Sequence, residues 1–198
     1  MNTFYPSRLA MSAAVVCACL FADQATAGTM PAPSLPACHS TIEPDVTCRL
    51  PVKNGSFTAL TGWEALGDVT LGSEGGASYL SMGHGSSIEQ PVYAMFYKWS
   101  RAAYALRFRV RAESADTEVD AALYMSDDTG RYTQHIGSVM ATASVGKWRV
   151  VELVANGKPF PAPAHVLIKI SNGGNGSSIQ VTDVMLVDML QEGAVDLR

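Results

Sequence analysis

The chain has 198 residues, of which 47% are hydrophobic and 16% charged, and its formal net charge is −4 at neutral pH. This is enough apolar material for a core, and the length suits one domain with extra segments. A mildly acidic chain lacks the basic patch that nucleic acid or an anionic membrane asks for, so neither is an expected partner.

The chain begins with a targeting pattern. Arg8 precedes the uncharged apolar run Leu9–Ala22, and Ala25-Thr26-Ala27 fits a small-x-small cleavage site. Residues 1–27 therefore read as a signal peptide, and the expected localisation is secreted or periplasmic. The apolar run is shorter than the roughly 20 residues of a membrane span, and no later stretch replaces it. Val16-Cys17-Ala18-Cys19 faintly resembles a lipobox, but the alanine triplet is the better cleavage site.

Cys38 and Cys48 remain after cleavage, an even pair in an exported chain, so a disulfide is expected. Two cysteines alone make only half a zinc site. Residues 28–52 contain Pro31, Pro33, Pro36, Pro44 and Pro51, which disfavour helix and central strand. They read as a proline-rich linker closed by the Cys38–Cys48 loop.

From residue 53 short apolar runs alternate with turn signals. Strands are expected at Asp68–Leu71, Ala77–Met82 and Ser87–Val92, with Gly72–Gly76 a loop and Pro91 confined to an edge or strand end. Tyr104–Arg111 is the clearest strand: Tyr104, Leu106, Phe108 and Val110 alternate with Ala105, Arg107, Arg109 and Arg111. Glu118–Met125 alternates again. A hairpin pairing Val110 with Val119 would set Arg109 against Asp120 and Arg111 against Glu118. Ser126–Gly130 reads as a turn, Tyr132–Met140, Lys147–Ala155, His165–Ser171 and Ile179–Met189 as strands, and residues 191–198 as a tail. No helical period is sustained, so the expected class is all-β, a sandwich or barrel.

The order of features resembles the galactose-binding-like jelly rolls, and within them carbohydrate-binding modules of the CenC type. Asn54-Gly55-Ser56-Phe57 and Gly62-Trp63 match the family's opening, and Ile88-Glu89-Gln90-Pro91-Val92 its Ile-x-Gln-x-Val step. Trp148 matches a strand-starting Trp, and Thr182-Asp183-Val184-Met185-Leu186 the closing strand. The resemblance covers residues 53–190 and implies a jelly-roll β-sandwich with Trp63 and Trp148 in its core. The family's acids after the opening Phe and before Asp183 are Thr58 and Thr182 here. The structural calcium that the resemblance implies would therefore rest on Asp183 and backbone carbonyls.

Sugar-binding surfaces in such a fold need exposed aromatic rings and polar partners. Tyr124 is out of phase with Val119, Ala121, Leu123 and Met125, so it should share the opposite face with Arg107 and Arg109 of the strand taken as its neighbour. Tyr93, Tyr97 and Trp99 form a second aromatic group, and Tyr132, Gln134 and His135 a further set. Strands also use such rings for packing alone.

Enzyme readings lack support. Glycoside hydrolysis usually takes a positioned carboxylate pair, and the acids here sit at turns or beside charge partners. No Gly-x-Ser-x-Gly occurs, and His39, His84, His135 and His165 are scattered. Asn54-Gly55-Ser56 and Asn175-Gly176-Ser177 match a glycosylation acceptor but read as turns. The expectation is an exported, non-catalytic module binding a polysaccharide or glycan. The alternative is a cell-envelope structural or protein-interaction module, with an envelope protein as partner, that has lost sugar binding.

Overall fold

The computed structural model describes residues 35–38, 47–94, 102–127, 133–157, 164–174 and 176–189. The expected signal peptide, Tyr97, Trp99, Tyr132 and the expected tail lie outside them. Among the described residues there are eleven strands and no helix. They are β1 (Cys48–Arg49), β2 (Glu64–Leu66), β3 (Val69–Glu74), β4 (Ala77–Met82), β5 (Ser87–Ala94) and β6 (Ala102–Ala112). β7 (Thr117–Asp127), β8 (Thr133–Ala143), β9 (Arg149–Gly157), β10 (Ala164–Ser171) and β11 (Ile179–Met189) follow.

They form two antiparallel sheets. Sheet A has the order β3-β4-β11-β6-β9, with β1 also paired to β11; sheet B has the order β2-β5-β10-β7-β8. The alternating apolar sets close on one another as a sandwich core. Leu106, Phe108, Val110, Val181 and Leu186 come from sheet A, and Val119, Leu123, Ile168 and Ile170 from sheet B; all are buried. The expected jelly-roll sandwich is what the chain forms.

The hairpin between the arginine strand and its successor is corrected. β6 pairs with β11 and β9, placing Arg109 against Thr182 and Val150, and Arg111 against Gln180. β7 belongs to the other sheet, between β10 and β8. Alternation reveals which residues face inward, but two consecutive strands can bury those faces side by side or across a sandwich. Here residues 113–116 cross between the sheets, and Arg109 never meets Asp120.

Gly72-Ser73-Glu74 was expected as loop and is strand. Gly72 pairs with Tyr79, whose ring fills the space above it: a Cβ at Gly72 would lie 2.4 Å from the ring. Pro91 behaves as expected, because β2 pairs only with Ser87–Glu89 and no other described strand pairs with the outer side of β5 beyond that point. The turn expected at Ser126 starts later, since β7 runs through Asp127.

The opening stretch is tied to both sheets. Phe57 and Trp63 are buried with ring centroids 5.4 Å apart. Buried Gln90 of β5 receives the Lys53 N–H at 2.7 Å and donates to the Lys53 carbonyl at 2.9 Å. Gly55 accepts from the Val184 N–H at 2.9 Å, and a Cβ there would stand 2.1 Å from the Val184 carbonyl oxygen. Only glycine permits that approach. The expected disulfide joins Cys38 and Cys48. It holds the 35–38 segment beside β1, which extends sheet A along β11 where β4 has ended.

Candidate functional site

On β5, β10, β7 and β8 the inward residues fill the core, so the residues between them form the outer face of sheet B. Tyr93 and His165 are partners across β5 and β10, with rings edge to face at 5.3 Å. Tyr124 and His135 are partners across β7 and β8, with rings edge to face at 5.2 Å. Leu167 stands beside Tyr124 and Pro91 on the intervening strands. The two pairs thus make a diagonal strip across four adjacent strands. The Tyr93 and Tyr124 positions are separated by about 10 Å across the strands and about 7 Å along them. Tyr93 is 44% exposed, and His135 is exposed.

Polar groups border the strip. The Lys169 ammonium bonds Glu89 at 2.6 Å, one row from Tyr124. Its hydrogen bond to Glu89 raises the Lys169 pKa, with burial acting in the opposite direction. Small Ala122 and Ser138 lie opposite one another in the same row, leaving the flank of Tyr124 low. Rings with flat, reachable faces next to charged hydrogen-bonding groups can stack on and bond a ligand that is apolar on its faces and polar on its edges.

The expected grouping of Tyr124 with Arg107 and Arg109 is overturned. Both arginines lie on the outer face of sheet A, on the far side of the core from Tyr124. There Arg107 approaches Glu152 at 3.7 Å and Arg109 approaches Asp183 at 3.5 Å. Arg111 bonds Glu74 and Gln180. Trp148, expected in the core, covers these arginines from outside, with Arg109 5.3 Å and Arg111 4.7 Å from its ring centre. Tyr79 stands beside it at 6.4 Å. This stack escaped the sequence reading; its signal was the row of three outward arginines, which must find partners on neighbouring strands.

Asp183 sits at a bulge in β11 with a left-handed φ of 54°. Its carboxylate faces the Arg109 guanidinium, which would repel a bound cation. Among the described residues no three His, Cys, Asp or Glu side chains gather as a metal site. Asp183 with Arg109 against it is a poor fit for calcium, which takes six to eight oxygens, several of them carboxylate.

No protein-family model matches the sequence, and no curated protein matches it. Solved structures do match in fold. The xylan-binding domain CBM22-1 of Paenibacillus barcinonensis Xyn10C is 10% identical, with a TM-score of 0.50 over 70% of this chain and 92% of that one. The Stig cyclase Fisc from Fischerella sp. TAU is 12% identical, with a TM-score of 0.54 over 74% of this chain and 100% of that one. The xylan-binding domain and the cyclase both share the fold of this chain. No helix of the described residues is long and apolar enough to cross a membrane.

Proposed function

We propose that this protein is an exported, non-catalytic module that binds a polysaccharide or glycan on the outer face of sheet B. The observation that carries this is the diagonal strip of two Tyr–His pairs, Tyr93–His165 and Tyr124–His135, laid across four neighbouring strands. A strip of that length suits several linked sugar rings rather than one. Tyr93 and Tyr124 stack on ring faces, and His135, His165 and Lys169 bond the hydroxyls. The carbohydrate-binding modules among the similar structures support the reading at the level of fold. A fold alone does not decide function, and the cyclase has the same one.

The test is calorimetry with soluble oligosaccharides and affinity electrophoresis in polysaccharide gels. Tyr124→Ala and Tyr93→Ala each weaken binding about tenfold or more, the loss of roughly 1.4 kcal/mol. Arg107→Ala, on the other outer face, leaves it unchanged. Binding that ignores both tyrosines, or no binding to any glycan, overturns the reading and leaves the envelope-interaction module in its place.

A further inference from the structure

Among the described strands each sheet has two outside members: β3 and β9 in sheet A, β2 and β8 in sheet B. An outside strand offers unpaired N–H and C=O groups to any chain that can lie along it, and charge, proline or shortness usually guards it. β2 has 3 residues and carries Glu64, β3 carries Glu74, and β9 carries Arg149 and Glu152. β8 has none of these guards. Its 11 residues include no Asp, Glu, Lys, Arg or Pro, and its length equals that of the interior strands β6, β7 and β11. Its register shifts once, opposite Leu123 and Tyr124, which leaves Gly137 to Ala143 as a regular run.

The side chains around this edge point the same way. Of the seven large hydrophobic side chains exposed among the described residues, four (Met140, Val145, Val150 and Val154) lie on β8, β9 and the turn between them. Met140 is 66% exposed. Val139 and Ala141 face inward, opposite Ala121 and Val119 of β7, yet are only partly buried. The core is therefore open along β8, as it would be for an interior strand stripped of its neighbour. β8 and β9 also lie against each other here: a Cβ at Gly137 would stand 2.8 Å from that of Ala155. The edge is thus two strands deep, with an apolar rim on both faces of the sandwich.

We propose that two copies of the chain join along this edge, β8 beside β8 of the second copy, antiparallel about a two-fold axis. A lone extended strand from another protein would pair with β8 and leave β9 uncovered. A second copy brings the same two stacked edges, so both sheets continue across the axis and Val150 and Val154 gain apolar neighbours. A charged residue near such an axis meets its own sign. β8 has no charge to repel its mate, and Glu152 of β9 lies beside Arg107 at 3.7 Å. The two copies of sheet B then form one continuous outer face carrying both Tyr–His strips. That last consequence rests on the reading of sheet B as a sugar-binding face; the pairing itself does not.

The test is sedimentation velocity of the folded protein from about 1 to about 100 µM. The sedimenting mass doubles across that range. Met140→Lys, whose partner on β7 is Asp120, keeps the circular dichroism of the native chain and weakens the pairing about tenfold or more. Met140→Lys combined with Val154→Lys sediments as a monomer throughout. Leu71→Lys, on the opposite outside strand β3, changes nothing. Exchange of the β8 amides with solvent slows as the native protein is concentrated, and does not slow in the double variant. A native chain that is monomeric at every concentration overturns the proposal and leaves the edge to a different partner. Dimers that survive the double substitution place the junction elsewhere and overturn it too. The glycan reading stands or falls separately, on the oligosaccharide affinity of the monomeric variant, because each Tyr–His strip lies within one copy.

Discussion

The guanidinium of Arg111 lies 4.7 Å from the centre of the Trp148 ring and 5.7 Å from that of Tyr79, on the outside of sheet A. This stack ties β4, β6 and the approach to β9 together across the sheet. Its arginines have acidic or amide partners, so it is built as a fastening. Trp148→Ala should therefore destabilise the domain by about 1–3 kcal/mol in chemical denaturation. Glycan affinity should stay within twofold. A large loss of affinity with unchanged stability would move the binding face to sheet A.

Gln90 bonds both the N–H and the carbonyl of Lys53, joining β5 to the opening stretch. Gln90→Leu keeps the bulk and strands two backbone groups. Each unsatisfied buried group costs about 1–3 kcal/mol, so a loss within or above that range is expected from the denaturation midpoint. Exchange of the Lys53 amide with solvent should also quicken. A neutral substitution would mean that water takes over both bonds.

Gly55→Ala should be more damaging than an alanine at Gly75. The first places a Cβ 2.1 Å from the Val184 carbonyl oxygen; the second meets nothing within 4 Å and pays only for its φ of 57°. An overlap with backbone forces the opening turn off the β11 bulge, at about 2–4 kcal/mol, against about 1 kcal/mol for the strained φ. Equal melting temperatures for the two variants would contradict this.

Tyr104 and Asp188 are partners on β6 and β11, and both are buried. Burial, and then the Asp188 charge, push the Tyr104 hydroxyl above its ordinary pKa of 10.0. The folded protein holds this proton more tightly than the unfolded chain does. The resulting stability is complete below pH 10 and is lost as the pH climbs beyond it. Urea midpoints should fall more steeply between pH 10 and 11 in the native protein than in Tyr104→Phe. Parallel curves would show that other groups drive the alkaline loss.

The inward-facing residues were legible because a strand has a period of two: Leu106, Phe108 and Val110 could not be mistaken for surface. The disulfide was legible from the even cysteine pair and the compartment expected for the chain. Strand partnership was not. Tyr104–Val110 and Val119–Met125 look like the two arms of a hairpin, yet each carries enough apolar surface to cover the other from across the core. The same ambiguity split the candidate site. Tyr93 and Tyr124 do share a face, through β10, which lies 40 residues beyond Tyr124 in the chain. Arg107 and Arg109 left that face when β6 joined sheet A. Trp148 went outside because β6 offered it cations, which local pattern cannot announce.

The central place of β11 sets a timetable for the chain. It lies between β6 on one side and β4 and β1 on the other, and it is drawn from residues 179–189. Every other strand of its sheet is synthesised earlier and must wait for it. A nascent chain holding β1 to β10 has a sheet without a middle, and contacts this distant in sequence form slowly. The domain is therefore completed only after nearly all of it has left the ribosome.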